Sequence, residues 1–285
     1  MSLRIRSLHV FPIKSCAGIS LTASVVDTAG LALDRRWMLV DQTGAFMTQR
    51  AYPRMALIRP ALLDTDLRLS APGHPDFDLP FEAGLDTPAQ DIQVWRSAVR
   101  AHHVGEGAAA WFSAVMEMPC ALYRTSEPLH RQPDARYVEP WVDTFGDDPL
   151  TDHAFGFADG FPLLIASQAS LDELNEKLQA KGRAPVSMDR FRPNIVIDGV
   201  EAFDEDHIGW LAFDGVKLGL VKPCTRCALP DVDPETGERG TEPSETLTSF
   251  RSFDEGVLFG QNAIVAAGAG GLLAVDDEGE FEYRF

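Results

Sequence analysis

Two of the four cysteines of this 285-residue chain, Cys224 and Cys227, lie three residues apart in a segment with neither helical nor strand periodicity. Lys222 precedes the pair and Arg226 lies inside it. A positive charge beside a thiol favours the thiolate, which is the form that acts as a nucleophile and binds metals. The types and spacing of these residues therefore predict a loop that carries thiol chemistry.

The cysteine pair has four interpretations. A structural zinc site needs four ligands, but the other cysteines, Cys16 and Cys120, are isolated and no pair of histidines has ligand spacing. A thioredoxin-like dithiol opens a helix, but the sequence ALPDVDPETG that follows the pair has no helical period. Two inert thiols on a loop, and a thiolate ligand to a soft transition metal, are the other interpretations.

The sequence immediately upstream predicts a rigid origin for this loop. Two runs of period two flank Asp214-Gly215, and a D-G pair in this setting is the strongest short-range hairpin signal. Pro223 lacks a backbone N–H donor and cannot extend the ladder. We therefore expect the chain to leave the sheet at Pro223 and to present Cys224 and Cys227 at its rim.

The net charge limits the class of partner. The chain has 25 basic and 43 acidic residues, a net charge of −18, which argues against binding to nucleic acid or to an anionic membrane. Basic residues nevertheless recur in apolar or Gly/Pro-marked segments, where they are either ordinary solvated charges or the lining of a local anion pocket. They are Lys14, Arg35, Arg36, Arg50, Arg190, Arg192, Lys222 and Arg226.

Neither terminus resembles a targeting or membrane segment. The N-terminal sequence MSLRIRSLHVFPIK carries charges throughout and has no continuous apolar core. The uncharged residues 262–275 are interrupted by glycines and are shorter than the ~20 apolar residues of a membrane span. Four cysteines without a secretory signal favour free thiols over a disulfide framework. We therefore predict a cytoplasmic protein without a membrane span.

Short apolar runs separated by Pro, Gly and Asp clusters predict a mainly β fold with a few helices (α+β), as a barrel or a sandwich. The first strand slips phase after Ile5, which predicts a bulge. One helix is predicted over residues 108–116 from its apolar spacing. A second is predicted from Ser170 as N-cap, with Glu173 as its capping-box partner, to near Gly182.

Between these helices, residues 125–160 are rich in Pro, Asp and His and show no periodicity. A long irregular stretch inside a compact chain is usually functional or a linker. We therefore expect a change of domain near Cys120, and we interpret the segment itself as a candidate lid.

Three further segments have the chemistry of an anion pocket. PIKSC (residues 12–16) follows the first strand, and by itself it predicts only a turn with a solvated lysine. LDRRW (residues 33–37) by itself predicts only a strand start with exposed arginines. Arg192 and Asn194 are expected on one face of a strand over residues 194–197, entered in an extended conformation through Pro193. A guanidinium and an amide on one face suit a phosphate or the edge of a pterin.

Taken together, six segments resemble MOSC-domain proteins with an N-terminal MOSC β-barrel domain, the group that contains the mitochondrial amidoxime-reducing component and its bacterial counterparts. The segments are FPIKSC, LALDRRWMLVD, FPLLIASQASLDELN, RFRPNIVI, KPCTRCALPDVDPETG and LFGQNAIV. They follow the family order and span nearly the whole chain. The resemblance implies an N-terminal MOSC-type domain over residues 1–120 and a C-terminal, cofactor-binding MOSC β-barrel over residues 121–285.

The resemblance also implies a site. It implies a molybdenum cofactor (molybdenum-molybdopterin) whose metal is bound by Cys227, the second cysteine of the CxRC motif, and this makes Cys227 the candidate catalytic residue. Where relatives carry small hydroxyl residues, this chain has Gly160 and Phe161, so any contact there is through the backbone or is lost. The residues implied to hold the cofactor or line its site are Lys14, Ser15, Arg35, Arg192, Asn194, Thr225, Arg226 and Asn262.

The implied activity is the reduction of small N-hydroxylated compounds, such as amidoximes, hydroxylamines and N-hydroxylated bases, to the amine or amidine plus water. Some bacterial relatives carry a C-terminal ferredoxin domain, but this chain ends at Phe285 without a cysteine cluster for an iron–sulfur centre. The expected electron donor is therefore a separate protein of ferredoxin, flavin or cytochrome b5 type. Asp231 and Asp233 are candidates for proton transfer.

An alternative function is that of a molybdenum cofactor carrier or sulfur-transfer module, because MOSC domains also form the C-terminal part of molybdenum cofactor sulfurase. A complete sulfurase would need an aminotransferase-like domain with its pyridoxal lysine, which this sequence lacks. The N-terminal barrel domain occurs in the reductases and in the sulfurase, so it discriminates weakly between the two functions.

Overall fold

The computed structural model describes residues 3–146 and 152–284, and within them it contains nineteen β-strands and four α-helices. The prediction of a mainly β fold with a few helices is confirmed. The strands are β1 (Leu3–Val10), β2 (Ile19–Leu21), β3 (Ala23–Asp27), β4 (Gly30–Leu31), β5 (Trp37–Asp41), β6 (Arg59–Leu62), β7 (Asp66–Ala71), β8 (His74–Pro80), β9 (Gln90–Val94), β10 (Ser97–His103), β11 (Cys120–Thr125), β12 (Leu163–Ser167), β13 (Ile195–Asp198), β14 (Ile208–Phe213), β15 (Val216–Thr225), β16 (Ser252–Phe253), β17 (Gly256–Ala267), β18 (Leu272–Ala274) and β19 (Glu278–Tyr283). The helices are α1 (Glu106–Met116), α2 (Ala135–Phe145), α3 (Gln168–Ala180) and α4 (Ser244–Thr248).

Seven strands close into a barrel. Their order is β12-β13-β1-β19-β14-β15-β17, and β17 pairs back with β12 to complete the ring. Only β12 and β13 run parallel, while the other neighbours are antiparallel. Closure satisfies the backbone groups that an open sheet would leave unpaired at its edges. Inward-facing apolar side chains from all of these strands fill the interior.

The first strand of the chain belongs to this barrel. β1 pairs with β13 and β19, which both come from the C-terminal half. Its register shifts between Ile5 and Ser7, which confirms the predicted bulge. The segment that leaves β1 therefore begins at the wall of the barrel, although it is separated from the other barrel strands by some 150 residues of sequence.

The residues between β4 and α2 build a separate part of the molecule with its own core, which includes the fully buried Trp37 and Phe112. Two antiparallel sheets, β5-β11-β10-β9 and β6-β7-β8, surround this core. Helix α1 covers the predicted residues 108–116, and its Trp111 donates a hydrogen bond from Nε1 to the Pro75 carbonyl at 2.7 Å. The helix prediction is confirmed, while the domain boundary near residue 120 stays a prediction.

The prediction that residues 125–160 are irregular is wrong over α2. Trp141 of this helix packs so closely on Gly219 that a Cβ there would lie 2.6 Å from the indole, and its Nε1 donates to the Gly209 carbonyl at 2.6 Å. These contacts hold α2 against the β14–β15 hairpin, so this part of the proposed lid is docked. Pro140 inside the helix hid the helical pattern. Residues 147–151 of the segment lie outside the described residues.

The predicted N-cap of the second long helix is also wrong. Helix α3 begins at Gln168, so Ser170 lies inside its first turn. The Ser170 hydroxyl donates to the Glu205 carboxylate at 2.7 Å and accepts from the Phe203 backbone N–H at 2.8 Å. Partners distant in sequence thus replaced the local capping box.

The hairpin predicted at Asp214-Gly215 is confirmed, since both residues have positive φ and join β14 to β15. The chain does not leave the sheet at Pro223, however. Strand β15 continues to Thr225, and register shifts on both sides of Pro223 place it opposite Gln261 of β17. A bulged ladder tolerates a proline that a regular one excludes.

Within residues 3–146 and 152–284, no helix combines the length and the apolarity needed to cross a membrane. The cytoplasmic location is not tested by this finding. It stays a prediction from the sequence.

Candidate active site

A cavity of about 450 Å³ lies between the barrel and the N-terminal sheets. Nine of the residues that line it are those that the resemblance implies for the site, and they come from five separate parts of the chain. The fold therefore brings the whole predicted set together, while their individual roles stay predictions. They are Lys14, Ser15, Arg35, Arg192, Asn194, Thr225, Arg226, Cys227 and Asn262.

The PIKSC and LDRRW segments lie side by side at one end of the cavity. The Lys14 N–H donates to the Trp37 carbonyl at 2.8 Å, and the Arg35 N–H donates to the Phe11 carbonyl at 3.0 Å. Ser15 and Arg35 have φ values of 69° and 49°. A left-handed backbone is costly for residues other than glycine, and such strain concentrates at ligand-binding sites.

Arg192 also has a left-handed backbone, with φ of 58°, and it precedes β13 instead of entering it extended. The prediction that Arg192 and Asn194 alternate along a strand is therefore wrong, because β13 begins at Ile195. The tight turn directs the Arg192 guanidinium inward, where its Nη1 donates to the Cys16 carbonyl at 2.5 Å. Burial and, to a smaller extent, the charge of Arg35 lower the pKa of Arg192 to about 10.

Arg226 is held in a similar way. Its Nε donates to the Phe259 carbonyl at 2.8 Å and its Nη1 to the Phe191 carbonyl at 3.0 Å. Its Nη2 is buried without a hydrogen-bond partner, and so is the Nη2 of Arg192. Buried donors are almost always paired. These two unpaired guanidinium nitrogens at one cavity therefore fit a ligand with anionic or hydrogen-bond-accepting edges, such as a phosphate or a pterin.

Asn194 is fully buried and its amide is already engaged within the fold. Its Oδ1 accepts from the Leu164 N–H at 3.0 Å and from Arg35 Nη1 at 3.1 Å, and its Nδ2 donates to the His9 carbonyl at 3.2 Å. Asn194 thus ties β12, the end of β1 and Arg35 to one another. It lines the cavity and positions Arg35 there.

Thr225 and Asn262 lie on the paired strands β15 and β17. Asn262 is opposite Lys222, and its Nδ2 donates to the Pro223 carbonyl at 3.5 Å. Thr225 ends β15 next to Arg226. These two side chains lie at the end of the sheet from which the cysteine loop departs.

Lys14 is only 5% exposed. Its Nζ donates to the Phe157 carbonyl at 2.9 Å and forms an ion pair with Asp159. Burial lowers the pKa of Lys14, and the Asp159 charge offsets part of this effect. Desolvation raises the pKa of the Asp159 carboxyl, but the charge and hydrogen bond of Lys14, the hydrogen bond of Trp95 and the charge of Arg35 together outweigh this effect and hold that pKa well below its usual range. The Asp159 side chain is 71% exposed because it faces the open cavity.

The cavity concentrates positive charge in an acidic protein. Six basic side chains line it, against the single carboxylate of Asp159 in the described part of the chain. A cleft lined by one sign of charge focuses the field and attracts ions of the opposite sign. The basic residues are Lys14, Arg35, Arg50, Arg192, Lys222 and Arg226.

The four cysteines are free thiols and fall into two classes. Cys227 is exposed and Cys224 half-buried, and both line the cavity. Cys16 and Cys120 are buried, and burial raises the pKa of Cys16 to about 12 and also raises that of Cys120. No group of three His, Cys, Asp or Glu side chains converges anywhere in residues 3–146 and 152–284. A metal held here would therefore take few ligands from these residues.

The cavity-lining residues that were not predicted as site residues from the sequence include Thr48, Arg50, Trp95 and Asp159. Arg50 was noted only as one basic residue among several. Trp95 lies in the two-residue turn between β9 and β10, and turn residues give no local signal of what they face. Asp159 lies near the end of the segment 125–160, which was interpreted as a lid.

The two carboxylates proposed for proton transfer have structural partners. Asp231 accepts a hydrogen bond from the Ser244 N–H at 3.0 Å, and Asp233 forms an ion pair with Arg190 at 2.7 Å. Neither is among the cavity-lining residues of the described chain. Gly160 and Phe161 do line the cavity, and a Cβ at Gly160 would have no heavy atom within 4 Å, which leaves this backbone open to a ligand.

Comparisons with known proteins identify the family. The model of the MOSC N-terminal beta barrel domain matches residues 2–119, and that of the MOSC domain matches residues 152–280. Mitochondrial amidoxime-reducing component 1 of Mus musculus is 33% identical over 264 residues, which are 90% of this chain and 74% of that protein. The chain belongs to the MOSC-domain family.

Two further relatives of this MOSC protein illustrate the range of the family. Mitochondrial amidoxime-reducing component 1 of Homo sapiens is 32% identical over 267 residues, which are 91% of this chain and 76% of that protein. Molybdenum cofactor sulfurase of Oryza sativa subsp. japonica is 28% identical over 271 residues, which are 90% of this chain but only 32% of that protein. These names associate the family with the molybdenum cofactor and with amidoxime reduction.

Proposed function

We propose that this MOSC protein is a molybdenum-cofactor-dependent oxidoreductase that reduces N-hydroxylated compounds, such as amidoximes, hydroxylamines and N-hydroxylated bases. The observation that carries the proposal is the convergence of an exposed thiol, Cys227, with the unpaired buried guanidinium nitrogens of Arg192 and Arg226. A thiolate is a preferred ligand of soft metals, and arginines bind phosphates and pterin edges through charge-assisted hydrogen bonds. The similarity to amidoxime-reducing components supports the same function.

In this proposal, Cys227 Sγ binds the molybdenum, and Arg192, Arg226 and Lys14 hold the anionic and hydrogen-bonding edges of the cofactor. The strained turn at Ser15 places its backbone and hydroxyl beside Lys14. The bound cofactor supplies the two-electron chemistry. In the overall reaction the N–O bond of the substrate breaks, two electrons and two protons are consumed, and the oxygen leaves as water.

We further propose that the electrons come from a separate protein of ferredoxin, flavin or cytochrome b5 type. Cys16 and Cys120 are buried, and no group of three His, Cys, Asp or Glu side chains converges in residues 3–146 and 152–284. The purified protein is therefore expected to reduce benzamidoxime with reduced methyl viologen, and not with NADH alone. Reduction with NADH in the absence of a second protein would contradict this part of the proposal.

A direct test is elemental analysis of the protein from a molybdenum-replete host, combined with turnover of benzamidoxime by an artificial donor. We expect stoichiometric molybdenum and the formation of benzamidine. A different stoichiometric metal would contradict the proposal.

A second function, a cofactor carrier or sulfur-transfer module, is favoured by the similarity to the rice molybdenum cofactor sulfurase. It predicts bound molybdenum cofactor without turnover. The same two measurements therefore distinguish the two functions.

A further inference from the structure

Trp95 is a large aromatic side chain that lines the cavity and is 43% exposed. It lies in the two-residue turn between β9 and β10, with a left-handed φ of 53°. Glycine or asparagine adopts this conformation more readily than a bulky aromatic residue. The hairpin itself is packed by the buried Val94 and Val99, so Trp95 is not needed for its core.

The orientation of Trp95 is held by contacts from three directions. Phe46 meets the indole edge-to-face with ring centroids 4.8 Å apart, and the Arg50 guanidinium lies 4.9 Å from the ring centroid. The indole Nε1 donates to Asp159 Oδ1 at 3.1 Å, and the Trp95 carbonyl accepts from Gln93 Nε2 at 2.7 Å. An exposed ring fixed in this way is preorganised to bind a flat ligand with little further loss of conformational freedom.

Trp95 belongs to a different sheet from the residues assigned to the cofactor, and Asp159 connects it to one of them, Lys14. Those residues come from the barrel and from the segments at 14–15 and 35, whereas Trp95 comes from the sheet β5-β11-β10-β9. The cavity therefore has an aromatic surface, with Arg50 against it, in addition to the basic residues of the barrel side. An aromatic surface can stack on any planar π-system. It contributes little binding free energy for an aliphatic ligand.

We propose that Trp95 is a specificity-determining residue, which binds the planar conjugated part of the substrate and makes this MOSC protein prefer aromatic over small aliphatic N-hydroxylated compounds. This inference rests on the proposed function, because it names the substrate class of the same site. The Asp159 carboxylate beside the indole accepts a hydrogen bond from Trp95 Nε1 and forms an ion pair with Lys14, so it fixes the position of Trp95 relative to the basic residues of the cavity.

The test compares the holoprotein with three variants: Trp95→Ala, Trp95→Phe and, as control, Phe253→Ala. Phe253 is a 49% exposed aromatic residue on β16 that is not among the residues lining the cavity of the described chain. The substrates are benzamidoxime and acetamidoxime, with reduced methyl viologen as donor. The dissociation constants of the corresponding products, benzamidine and acetamidine, are measured by calorimetry without turnover.

We expect Trp95→Ala to raise the KM for benzamidoxime and the Kd for benzamidine about 2- to 10-fold, from the strength of aromatic pairs. The kcat for benzamidoxime and the KM for acetamidoxime should stay within about 2-fold, since stacking acts on binding of the planar part alone. Trp95→Phe should give a smaller rise, and Phe253→Ala none. Both Trp95 variants are compared because Trp95→Phe preserves an aromatic contact if Trp95→Ala does not fold.

Equal changes for the aromatic and the aliphatic ligands, or no change in either Trp95 variant, would overturn the inference. The dissociation constants of benzamidine and acetamidine distinguish an error in this inference from an error in the proposed function. If the wild type reduces no amidoxime, the proposed function is wrong, while the preference for benzamidine and its loss in Trp95→Ala still decide whether Trp95 binds planar ligands.

Discussion

The barrel wall of the cavity (Arg192, Asn194 and Arg226) is held by hydrogen bonds to main-chain groups, whereas the N-terminal wall (Arg50 and Trp95) is held largely by contacts between side chains. Arg192, Asn194 and Arg226 all donate to backbone carbonyls. Arg50 and Trp95 stack on each other instead. Side chains that are bonded to the main chain have a fixed geometry. Side chains that stack on one another can be replaced by single substitutions without disturbing a strand.

This difference predicts different roles for the two walls. The barrel wall offers unpaired donors from buried, rigid groups, which suits a permanently bound cofactor. The N-terminal wall offers an accessible aromatic surface, which suits a substrate that enters and leaves. Substitutions in the barrel wall and its loop should therefore affect cofactor content, and those in the N-terminal wall should affect KM alone.

The largest effect is expected at the cysteine loop beside the barrel wall. Cys227→Ser should lose molybdenum and abolish amidoxime turnover, because a neutral hydroxyl replaces a polarisable thiolate. Cys224→Ser is the matched control from the same cavity, and it should keep the metal and at least part of the activity. Metal analysis and turnover of both folded variants provide the measurement. A Cys227→Ser protein with full molybdenum and wild-type turnover would remove the support for Cys227 as ligand.

The second prediction concerns a buried carboxyl at the end of β12, which is not among the cavity-lining residues of the described chain. Glu205 accepts hydrogen bonds from Ser170 and from the Ser167 N–H at the end of β12, and burial raises its pKa from 4.5 to about 7. The folded state therefore keeps a proton that the unfolded state loses. The contribution of Glu205 to the free energy of unfolding should therefore fall as the pH rises from about 4.5 through about 7, and it should stay level above that pH.

Glu205→Gln should remove this pH dependence. Its free energy of unfolding relative to wild type should increase by about 3 kcal/mol across the same pH range, from the size of the shift. Chemical denaturation of both proteins at a series of pH values measures the difference. A difference that is constant with pH would show that Glu205 is ionised in the folded state.

The third prediction tests the barrel wall as a cofactor clamp. Arg192→Lys keeps the charge but removes the unpaired Nη2, and should weaken cofactor retention roughly ten- to a hundred-fold, since a charge-assisted hydrogen bond contributes about 1.5–3 kcal/mol. Lysine is chosen over alanine because the Arg192 side chain is half-buried and packs on the Phe11 ring, where alanine would leave a gap. Molybdenum content after extensive dilution and repurification is the measurement. Undiminished occupancy would reject the assignment.

The smallest effect is expected in the N-terminal wall. Arg50→Ala removes the cation above Trp95, and should raise the KM for benzamidoxime about 2- to 5-fold, as estimated for exposed cation–π contacts. Molybdenum content should equal that of the wild type. Loss of the metal in Arg50→Ala would show that the N-terminal wall also holds the cofactor, which would contradict the distinction between the two walls.

Local patterns in the sequence were sufficient for much of the fold. The alternation of β1, the D-G turn at Asp214-Gly215 and the apolar spacing of α1 depend on neighbours within one turn or one hairpin, and all three are confirmed. The cysteine loop was recognisable for the same reason, because Cys224, Cys227 and their basic neighbours lie within six residues. Even the nine dispersed site residues could be named, although only by resemblance of whole segments to the MOSC family.

The tertiary structure alone decided the contacts of groups that have more than one possible partner. Ser170 was a plausible cap for its own helix, but packing supplied Glu205 and Phe203. Helix α2 contains a proline and forms because Trp141 finds two strands to pack on. Trp95 and Asp159 are 64 residues apart, and they meet at 3.1 Å only because two sheets and a barrel fold around one cavity. Such contacts are set by the energy of the whole packed fold, which no local window of sequence contains.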